Sequence, residues 1–348
     1  MSNIYNISKP IGILGIGSFG TVLANLIAER HSVIMYARKQ STVDNINIHK
    51  KHREIEILPN IAATTDLRFL AGHCDIIFPV LPSYAFRNVI KELSDFLTSN
   101  HILIHGAKGF DVKIDFTKGP VEIRPKDICT MSEVILEETP VHRVGCISGP
   151  NLAKEIAQRQ PAGTVLASKF KEVLTIGTDI LQCDRFQIYR SNDIKGIELA
   201  GVFKNYIAIA AGASAALGYG ENVKALLITK GISEMIAIGK TLGVEPKSFL
   251  GLAGIGDLVA TCSSPLSRNY SVGYRLAKGE KIEQIIATMT EAAEGINTVK
   301  VIKYLSDTMH IQAPLVGIIY KIMYEGFSLE QGIKLLMRLN AGQDVSFY

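Results

Sequence analysis

The sequence predicts an α/β protein in which a doubly wound sheet is followed by an all-α domain. In the first half, short apolar runs alternate with segments of helical spacing. A turn of the form G-x-G-x-x-G follows the first run, and beyond residue 193 the apolar spacing is helical. Alternating strands and helices form a sheet covered on both faces, and the glycine turn makes it Rossmann-like. We therefore expect a dinucleotide-binding domain over residues 1–192 and an all-helical substrate and catalytic domain over residues 193–348.

Six apolar runs are the candidate strands of the N-terminal sheet. Runs of this length, bounded by glycine or polar residues, are typical of strands that are buried on both faces. They are Pro10–Leu14, Ser32–Tyr36, Cys74–Leu81, His101–His105, Val144–Ile147 and Gly163–Ala167. Helical spacing at Thr21–Arg30 separates the first two runs, so the pattern predicts a parallel sheet.

The second half contains no convincing strand. Three segments are helical by length and spacing: Ile194–Gly212, Val223–Leu242 and Ile296–Leu305. Two shorter segments, Glu245–Phe249 and Thr308–Leu315, are interpreted as loops or helix ends. The C-terminal domain is therefore predicted to be helical throughout.

Composition and charge exclude several classes of protein. The net charge is only +4 and the densest basic cluster, His49–Arg53, is interpreted as a solvated loop or helix face, so nucleic acid is not an expected partner. Five cysteines without a CxxC pair favour a reduced, intracellular compartment. The longest apolar stretch, Ile207–Leu217, is too short to cross a bilayer core of about 30 Å. Because no signal sequence is evident either, we expect a cytoplasmic protein without an integral membrane segment.

The glycine turn has the pattern of a dinucleotide-binding loop. Gly15 permits the tight turn, Gly17 lets the backbone approach a pyrophosphate, and Gly20 permits close packing of helix on strand. Ser18 and Phe19 lie at the start of the predicted helix, whose N-terminus favours an anion. The pattern predicts NAD(H) or NADP(H) as the cofactor, and a glycine turn without a ligand is the alternative.

The end of the second predicted strand bears on the choice between these cofactors. NAD-selective sites usually carry Asp or Glu there, to bind the ribose 2′-hydroxyl, whereas this chain has Arg38 and Lys39. A guanidinium can bind a 2′-phosphate through two parallel hydrogen bonds. We expect NADPH to be accepted and preferred, and two exposed loop charges are the alternative.

Seven segments carry motifs that are informative in combination. They are GIGSFGT at 15–21, AKGFD at 107–111, SGPNLAKE at 148–155, GVFKN at 201–205, GLAGIGDLVATC at 251–262, SRN at 267–269 and AEGINT at 293–298. In this order the chain resembles the bacterial type of NAD(P)-dependent sn-glycerol-3-phosphate dehydrogenase, from about Ile11 to about Leu336. The resemblance implies interconversion of dihydroxyacetone phosphate, a small phosphorylated substrate, and sn-glycerol 3-phosphate for phospholipid synthesis. We also expect a homodimer.

Lys204 is the candidate proton donor. Reducing a ketone needs a hydride donor and a proton donor for the developing alkoxide. Lys204 lies in an otherwise apolar helix, where burial disfavours its charged form, and small residues such as Gly212 indicate close packing of that helix. A lysine that extends to solvent is the alternative. The resemblance implies that Lys204 is the general acid/base and that Asn205 also contacts the substrate.

Lys108 and the SGPNLAKE segment are candidates in the N-terminal half. Lys108 follows the carboxyl end of a predicted strand, where doubly wound sheets bind ligands. A lysine in a surface loop is the alternative. The resemblance implies that Lys108 contacts substrate and cofactor, that Gly149 and Asn151 contact the substrate, and that Ala153 contacts the cofactor.

Asp257 and Thr261 are candidates in the C-terminal half. Asp257 could cap a helix that begins at Leu258, and Thr261 lies on the same helical face. The resemblance implies that both line the site and orient Lys204 and the substrate oxygens.

The SRN segment suits a phosphate. Ser267, Arg268 and Asn269 supply a hydroxyl, a guanidinium and an amide, although Ser267 could simply cap a helix. The resemblance implies that all three bind the substrate phosphate, and that Arg268 and Glu294 also contact the cofactor.

The chain departs from the family pattern in three places. Asn151 stands where Ser or Thr is usual, Ala107 stands where Thr is usual, and the segment between Asp111 and Val144 is longer than the family norm. That segment could cover the site or meet a partner subunit.

Two other functions stay open on the sequence. A 3-hydroxy-acid or sugar-acid dehydrogenase of the same two-domain plan would not need the SRN segment. A non-catalytic NAD(P)H-binding regulator would have no use for Lys108, Lys204 and Asp257 together. Histidine pairs and carboxylate clusters at metal-ligand spacing are absent from the sequence, so no catalytic metal is predicted.

Overall fold

The computed structural model describes residues 7–114 and 121–338, and the chain divides into two compact units. Unit 1 consists of Met1–Lys108 and Thr130–Glu198, and unit 2 consists of Gly109–Cys129 and Leu199–Tyr348. The chain therefore contributes one segment to unit 2 before it completes unit 1. The domain boundary at residues 192 and 193 stays a prediction of the sequence.

Eight of the described strands form one sheet in unit 1, and two short pairs lie outside it. The strands are β1 (Ile11–Leu14), β2 (Val33–Tyr36), β3 (Lys51–His52), β4 (Ile55–Glu56), β5 (Ile61–Thr64), β6 (Ile76–Pro79), β7 (Ile102–His105), β8 (Asp111–Val112), β9 (Ile128–Cys129), β10 (Arg143–Ser148), β11 (Ala162–Ala167) and β12 (Phe186–Ser191). The sheet order is β12-β11-β10-β7-β6-β1-β2-β5, and β3 pairs with β4 and β8 with β9. Each of the six predicted runs coincides with one strand of the large sheet, so the α/β prediction is confirmed.

The described helices connect these strands and build unit 2. They are α1 (Ser18–Ala28), α2 (Gln40–Asn47), α3 (Leu67–His73), α4 (Ser83–Ser94), α5 (Met131–Glu138), α6 (Ala153–Ala157), α7 (Lys171–Leu181), α8 (Ile194–Ala216), α9 (Glu221–Thr241), α10 (Asp257–Ser263), α11 (Arg268–Ala277), α12 (Ile282–Thr288), α13 (Glu294–Thr308), α14 (Pro314–Tyr324) and α15 (Leu329–Arg338). Within residues 194–338 every described element is helical, as predicted.

The sheet is mainly parallel, but β11 runs antiparallel to β10 and parallel to β12. The connection from β10 to β11 holds only α6, a helix of 5 residues. Such a helix is about 7.5 Å long, whereas a strand of this length spans about 20 Å, so α6 cannot serve as a crossover across the sheet. The chain turns back beside β10 instead, and the prediction of a purely parallel sheet is wrong at this pair.

The two strands of the large sheet that the sequence did not reveal, β5 and β12, are its edges. In both, the first residues alternate between buried and exposed, whereas β1, β6 and β7 are buried throughout. A continuous apolar run marks a strand that is covered on both faces, and an edge strand lacks that mark. The parallel strands β1, β2, β6, β7 and β10 all end at the same edge of the sheet, where ligands of such sheets bind.

Helix α8 forms the centre of the apolar core of unit 2. Its Phe203, Tyr206 and Ile207 are fully buried in a cluster with residues of the later helices. The helix has 23 residues and is long and apolar enough to cross a membrane, but 83% of its apolar window is buried within the fold. The expectation that Ile207–Leu217 is too short to cross a bilayer is therefore wrong for the helix as a whole, which is longer than that stretch. Its burial is what is typical of a core helix.

The first part of the long segment after Asp111, together with Phe110 just before it, packs into the same core. Phe110, Ile123 and Ile128 are buried with the residues of unit 2, and the backbone amide of Ile123 donates to the Thr308 hydroxyl at 3.2 Å. Residues 115–120 of this segment lie outside the described residues. The described part up to Cys129 therefore belongs to unit 2, whereas the part from Thr130 onward belongs to unit 1. The expectation that the segment covers a site or meets a partner subunit stays untested.

Candidate active site

Lys204 is buried beside two side chains that the sequence singled out with it. It is 7% exposed, and its Nζ donates to the carboxylate of Asp257 and, at 2.8 Å, to the hydroxyl of Thr261. That hydroxyl in turn donates to the backbone carbonyl of Asp257 at 2.5 Å. A buried ammonium needs an opposite charge within hydrogen-bond distance. The three side chains therefore form one ionic cluster in unit 2, and the alternative in which Lys204 extends to solvent is wrong.

A turn of π-helix at Leu252–Gly256 leads directly into Asp257. Within it, a Cβ at Gly254 would lie 1.9 Å from the carbonyl oxygen of Phe249, so this backbone approach requires glycine. Turns of π-helix are rare and occur frequently at functional sites. The glycines of the GLAGIGD motif are therefore explained by local structure, because they form the turn that precedes the buried carboxylate of Asp257.

The structure corrects the interpretation of Asp257 as a helix cap. Helix α10 begins at Asp257 itself, and its N-cap, Gly256, makes no side-chain capping bond. The carboxylate is bound to Lys204 instead. Burial raises the pKa of the neighbouring Cys262 to about 12, so this thiol stays protonated. Asp257 is therefore the anion that neutralises the lysine.

Helices α8 and α11 cross backbone to backbone. A Cβ at Gly212 would lie 1.9 Å from the carbonyl oxygen of Tyr270, and one at Gly273 would lie 1.8 Å from that of Ile209. This confirms the close packing that the small residues of α8 predict. At the start of α11, Ser267 is the N-cap, and its side chain accepts from the backbone amide of Tyr270 at 3.3 Å. The capping role of Ser267 is therefore observed.

Asn205 and Asn269 bind each other across this crossing. Nδ2 of Asn269 donates to Oδ1 of Asn205 at 2.9 Å, and Oδ1 of Asn269 accepts the backbone amide of Gly295 at 2.9 Å. The amide of Asn269 thus ties α11 to α8 and to α13. Its second N–H group is what Asn269 can offer a ligand.

Arg268 is the cation of the SRN segment, and its side chain is accessible to solvent. Its side chain is 52% exposed, its Nη1 donates to the carbonyl oxygen of Ala292 at 2.9 Å, and it lies 3.2 Å from Oε2 of Glu291. Glu294, a further predicted contact of the cofactor, is the first residue of α13. A phosphate bound by Arg268 would have to share the guanidinium with Glu291.

In unit 1 the glycine turn lies between β1 and α1, as predicted. Gly15 has a φ of +123°, and a Cβ there would lie 2.4 Å from the carbonyl oxygen of Val80. A Cβ at Gly20 would lie 2.2 Å from the carbonyl oxygen of Gly15. Gly17 is the N-cap of α1 and makes no side-chain capping bond, and the first turn carries no acidic residue. The turn therefore suits a dinucleotide pyrophosphate, because backbone amides and the positive end of a helix dipole meet there.

Three other predicted cofactor residues lie at the same edge of the sheet. Ser18 and Phe19 open α1, and a Cβ at Gly106, just past β7, would lie 3.2 Å from Cε1 of Phe19. Arg38 is exposed just beyond β2, the parallel neighbour of β1. Burial raises the pKa of Tyr36, the last residue of β2, while Arg38 acts in the opposite direction. An arginine just past β2, the neighbour of the strand that leads into the glycine turn, is what a 2′-phosphate site would require.

Lys108 and Asn151 make hydrogen bonds near the end of β10. Lys108 contacts the residue just past β10, and Asn151 contacts the neighbouring strand β11. Nζ of Lys108 donates to the carbonyl oxygen of Gly149 at 2.9 Å, and Nδ2 of Asn151 donates to Oγ1 of Thr164 at 3.0 Å. Oδ1 of Asn151 and Oγ of Ser148 are buried and have no hydrogen-bond partner among the described atoms. Buried polar atoms of this kind are normally satisfied by water or a ligand, so these two oxygens mark a polar position beside Lys108 in unit 1.

Sequence reasoning missed several of these contacts. Thr164 gave no signal as the partner of Asn151, because the two lie on segments that only the turn-back of β11 brings together. Glu291 precedes the AEGINT motif and was not singled out. The basic cluster that was interpreted as solvated begins the β3–β4 hairpin, and its His52 is partly buried with Nε2 at 2.9 Å from the carbonyl oxygen of Ile16. That interpretation is therefore wrong for His52.

The predicted residues thus gather in two groups. In unit 1 the glycine turn, Arg38, Lys108, Gly149 and Asn151 lie at or just beyond strand ends, and Ala153 is the first residue of α6. In unit 2 the predicted site residues lie around the α8–α11 crossing and the π turn; they are Lys204, Asn205, Asp257, Thr261, Ser267, Arg268 and Asn269. The catalytic and binding roles of these residues remain predictions.

Comparisons with known proteins show the family to which the chain belongs. The chain matches the family model described as NAD-dependent glycerol-3-phosphate dehydrogenase N-terminus over residues 10–174, and the model for its C-terminus over residues 193–334. A relative from Pseudomonas fluorescens (strain SBW25), named glycerol-3-phosphate dehydrogenase, NAD(P)+, is 40% identical over 344 residues, which are 97% of each chain. A relative of the same name from Pseudomonas aeruginosa (strain LESB58) has the same identity and coverage.

Solved structures show the same fold. The crystal structure of glycerol-3-phosphate dehydrogenase from Coxiella burnetii has a TM-score of 0.84 at 30% identity and covers 95% of this chain and 99% of that chain. A ketopantoate reductase from Ralstonia eutropha JMP134 has a TM-score of 0.56 at 14% identity over 94% of this chain and 99% of that chain, which shows the fold alone. The predicted enzyme class, the nicotinamide cofactor and the two-part fold are confirmed. The chain belongs to the NAD-dependent glycerol-3-phosphate dehydrogenase family.

Proposed function

We propose that the protein interconverts dihydroxyacetone phosphate and sn-glycerol 3-phosphate with NADPH or NADH. The observation that carries this proposal is the buried cluster of Lys204, Asp257 and Thr261 in a chain of this family. An ammonium held by a carboxylate and a hydroxyl is a proton donor of fixed direction. Fixed donors are what a reaction with a developing alkoxide requires.

Lys204 handles the proton in this proposal. In reduction its Nζ gives a proton to the carbonyl oxygen of the substrate, and in oxidation it takes the proton from the hydroxyl. Asp257 neutralises the ammonium and Thr261 fixes its orientation, so little rearrangement is needed at the moment of proton transfer. The nicotinamide, when bound, supplies or accepts the hydride.

The remaining predicted residues bind the two ligands. For the substrate we propose Lys108, Gly149, Asn151, Asn205, Ser267, Arg268 and Asn269, with the SRN segment at the phosphate. For the cofactor we propose Gly15, Gly17, Ser18, Phe19, Gly20, Arg38, Lys108, Ala153, Arg268 and Glu294. The bond from Lys108 to the Gly149 carbonyl and the unpaired oxygen of Asn151 support the substrate assignment in unit 1.

The proposal extends to the setting of the enzyme. We expect a cytoplasmic homodimer that supplies glycerol phosphate for phospholipid synthesis, with residues 1–192 binding the cofactor and residues 193–348 carrying the catalytic lysine. The buried position of α8 within the core supports a protein without a membrane span.

One assay tests the activity directly. NADPH oxidation, followed by the absorbance of the reduced nicotinamide, should depend on added dihydroxyacetone phosphate and should yield sn-glycerol 3-phosphate. A chain that oxidises NADPH equally fast with a phosphate-free 2-keto or 3-keto acid would instead be one of the other dehydrogenases of this fold.

A further inference from the structure

A histidine outside the predicted site contacts the glycine turn. Nε2 of His52 lies 2.9 Å from the carbonyl oxygen of Ile16, the residue between the first two glycines. Because a carbonyl oxygen can only accept, Nε2 must carry the proton and donate. The hydrogen bond joins the β3–β4 hairpin to the turn between β1 and α1, both within unit 1.

The hairpin that presents His52 holds an unusual backbone. Lys50, Arg53 and Glu54 have φ values of +49°, +50° and +62°, in the left-handed region that residues with a Cβ rarely adopt. Each such residue costs about 1 kcal/mol or more. Three of them within five positions are retained only where the surrounding structure fixes the segment.

Anchors on both sides fix this hairpin. Nδ2 of Asn25, on α1, donates to the carbonyl oxygen of Glu56 at 2.7 Å, and its Oδ1 accepts the amide of Leu58 at 3.1 Å. Nζ of Lys50 donates to the carbonyl oxygen of Ile61 at 2.7 Å, and Ile57 is buried in the core of unit 1. The hairpin therefore holds His52 in one place relative to α1.

The hydrogen bond from His52 to the Ile16 carbonyl also determines the direction of the Gly17 amide, because both groups belong to one peptide unit. In a trans peptide the C=O and the following N–H point in opposite directions. A donor that holds the Ile16 carbonyl therefore aims the Gly17 amide to the opposite side. The next carbonyl, that of Gly17, is held at 3.0 Å by the hydroxyl of Thr21, which also lies 3.5 Å from the Ile16 oxygen. The carbonyls of the turn are thus occupied by the protein.

We propose that His52 is a positioning residue for the cofactor: its Nε2–H fixes the Ile16 carbonyl and thereby presents the Gly17 amide to the pyrophosphate of NAD(P)H. The amide at the second glycine is where the backbone of such a loop approaches the pyrophosphate. Without this donor the peptide is less firmly held, and a rotation that turned the Ile16 carbonyl toward the pyrophosphate would bring its partial negative charge against the anion. This inference rests on the proposed cofactor site.

The effect should be common to both cofactors. The pyrophosphate is shared by NADH and NADPH, so loss of the His52 donor should weaken both to the same degree. Arg38, by contrast, is proposed to contact the 2′-phosphate and should change the ratio between them. The two residues are therefore separable by experiment.

The test measures the dissociation constants of NADPH and NADH by fluorescence titration of the full chain. The variants are His52→Ala, His52→Phe and His52→Gln, with His49→Ala as the matched control because His49 is exposed in the same segment. Ala and Phe remove the donor, and both constants should rise about 3- to 10-fold, the equivalent of one hydrogen bond. His52→Gln keeps an N–H at similar reach and should restore binding to within about twofold of wild type. At saturating cofactor, kcat should change less than about twofold in every variant.

Three outcomes would overturn the inference. The first is wild-type affinity in both His52→Ala and His52→Phe. The second is an equal loss in all three variants together with a lowered Tm, since that would mean that ring packing stabilises the hairpin. The third is a fall in kcat without a change in cofactor affinity. A wild-type chain that binds neither NADPH nor NADH would instead overturn the proposed function itself, and this inference with it.

Discussion

Lys204 and Asp257 form an ion pair that is almost wholly removed from water, with 7% and 2% of their surfaces exposed. Removing the two charges from water costs free energy, and their mutual attraction offsets that cost only when both are present. Either one alone would be a buried, uncompensated charge. This pair links the proposed chemistry to the stability of unit 2.

Replacing Lys204 by methionine should abolish catalysis and also destabilise the protein. General acid–base catalysis is worth about 10²–10⁴-fold, so kcat should fall by at least about 100-fold while NADPH affinity stays near wild type. The Asp257 carboxylate would be left unpaired, and the free energy of unfolding should fall by about 3–5 kcal/mol in chemical denaturation. The sequence alone suggests that the substitution would raise the stability, because it shows Lys204 as a buried charge without its partner Asp257.

Two further variants serve as controls for Lys204. Lys334→Met, at an exposed helix position, should leave activity and stability unchanged. Lys204→Met combined with Asp257→Leu should recover part of the lost stability and none of the activity. A Lys204→Met protein that keeps more than about a tenth of wild-type kcat would mean that the proton comes from elsewhere, with Lys108 the next candidate.

Asn269→Ala should lower the free energy of unfolding by about 1–3 kcal/mol, because the buried amide of Gly295 would lose its acceptor and Asn205 its donor. Denaturant titration measures this, with the exposed Asn222→Ala as control. KM for dihydroxyacetone phosphate should rise as well. Unchanged stability with a raised KM would show that Asn269 serves the ligand and not the helix crossing.

Arg268→Ala should raise KM for dihydroxyacetone phosphate by at least about 10-fold, through loss of a charge-assisted hydrogen bond to the phosphate. The comparison substrate is dihydroxyacetone, which lacks the phosphate and should be affected little. An equal loss on both substrates would contradict the phosphate assignment and point to the contacts of Arg268 with the Glu291–Ala292 segment.

Arg38→Ala should lower kcat/KM for NADPH and leave that for NADH nearly unchanged. The physical reason is that only NADPH has a 2′-phosphate for the guanidinium. Wild type should use NADPH at least as well as NADH. If wild type strongly prefers NADH, or if the substitution leaves the ratio of the two unchanged, Arg38 does not select the cofactor.

A second buried carboxyl should make stability depend on pH. Burial raises the pKa of Glu234 from 4.5 to about 8, against the opposing effect of the Leu315 and Val316 amides and the Tyr206 hydroxyl, which donate to it. The folded protein therefore holds a proton that the unfolded chain releases. The stability from this proton is complete below about pH 4.5 and is lost as the pH rises to about 8.

The matched variant for this effect is Glu234→Gln, which keeps the shape and cannot titrate. The free energy of unfolding of wild type, measured relative to this variant, should fall by up to about 1.4 kcal/mol per pH unit across that window and be level above it. Parallel curves for the two proteins would show that Glu234 does not titrate in the window.

The sequence predicted the parts of the fold that follow from local pattern. Buried central strands and long core helices each carry a periodic signal, so their positions were correct. The edge strands β5 and β12 alternate buried and exposed residues and were missed. The direction of β11 depends on the shortness of α6, which no periodicity reports.

The sequence predicted which residues belong to the candidate site but not the contacts that they make. An isolated lysine in an apolar helix indicates Lys204, and the family motifs add Asp257 and Thr261. That Asp257 binds the lysine instead of capping α10 depends on the π turn before it, which pattern reading does not reveal. His52 was missed for a related reason, since its contact with Ile16 requires three left-handed residues in a basic stretch with no glycine at those positions.

Residues 109–129 belong to unit 2 although unit 1 is continued after them. During synthesis this segment leaves the ribosome well before the helices against which Phe110, Ile123 and Ile128 pack. Its apolar side chains therefore have no native partners for part of translation, and they are candidates for transient chaperone contact in that interval. For the same reason, a fragment that begins at residue 199 would lack part of its own core. Although such a fragment contains nearly all the helices of unit 2, we expect it to aggregate when it is expressed alone.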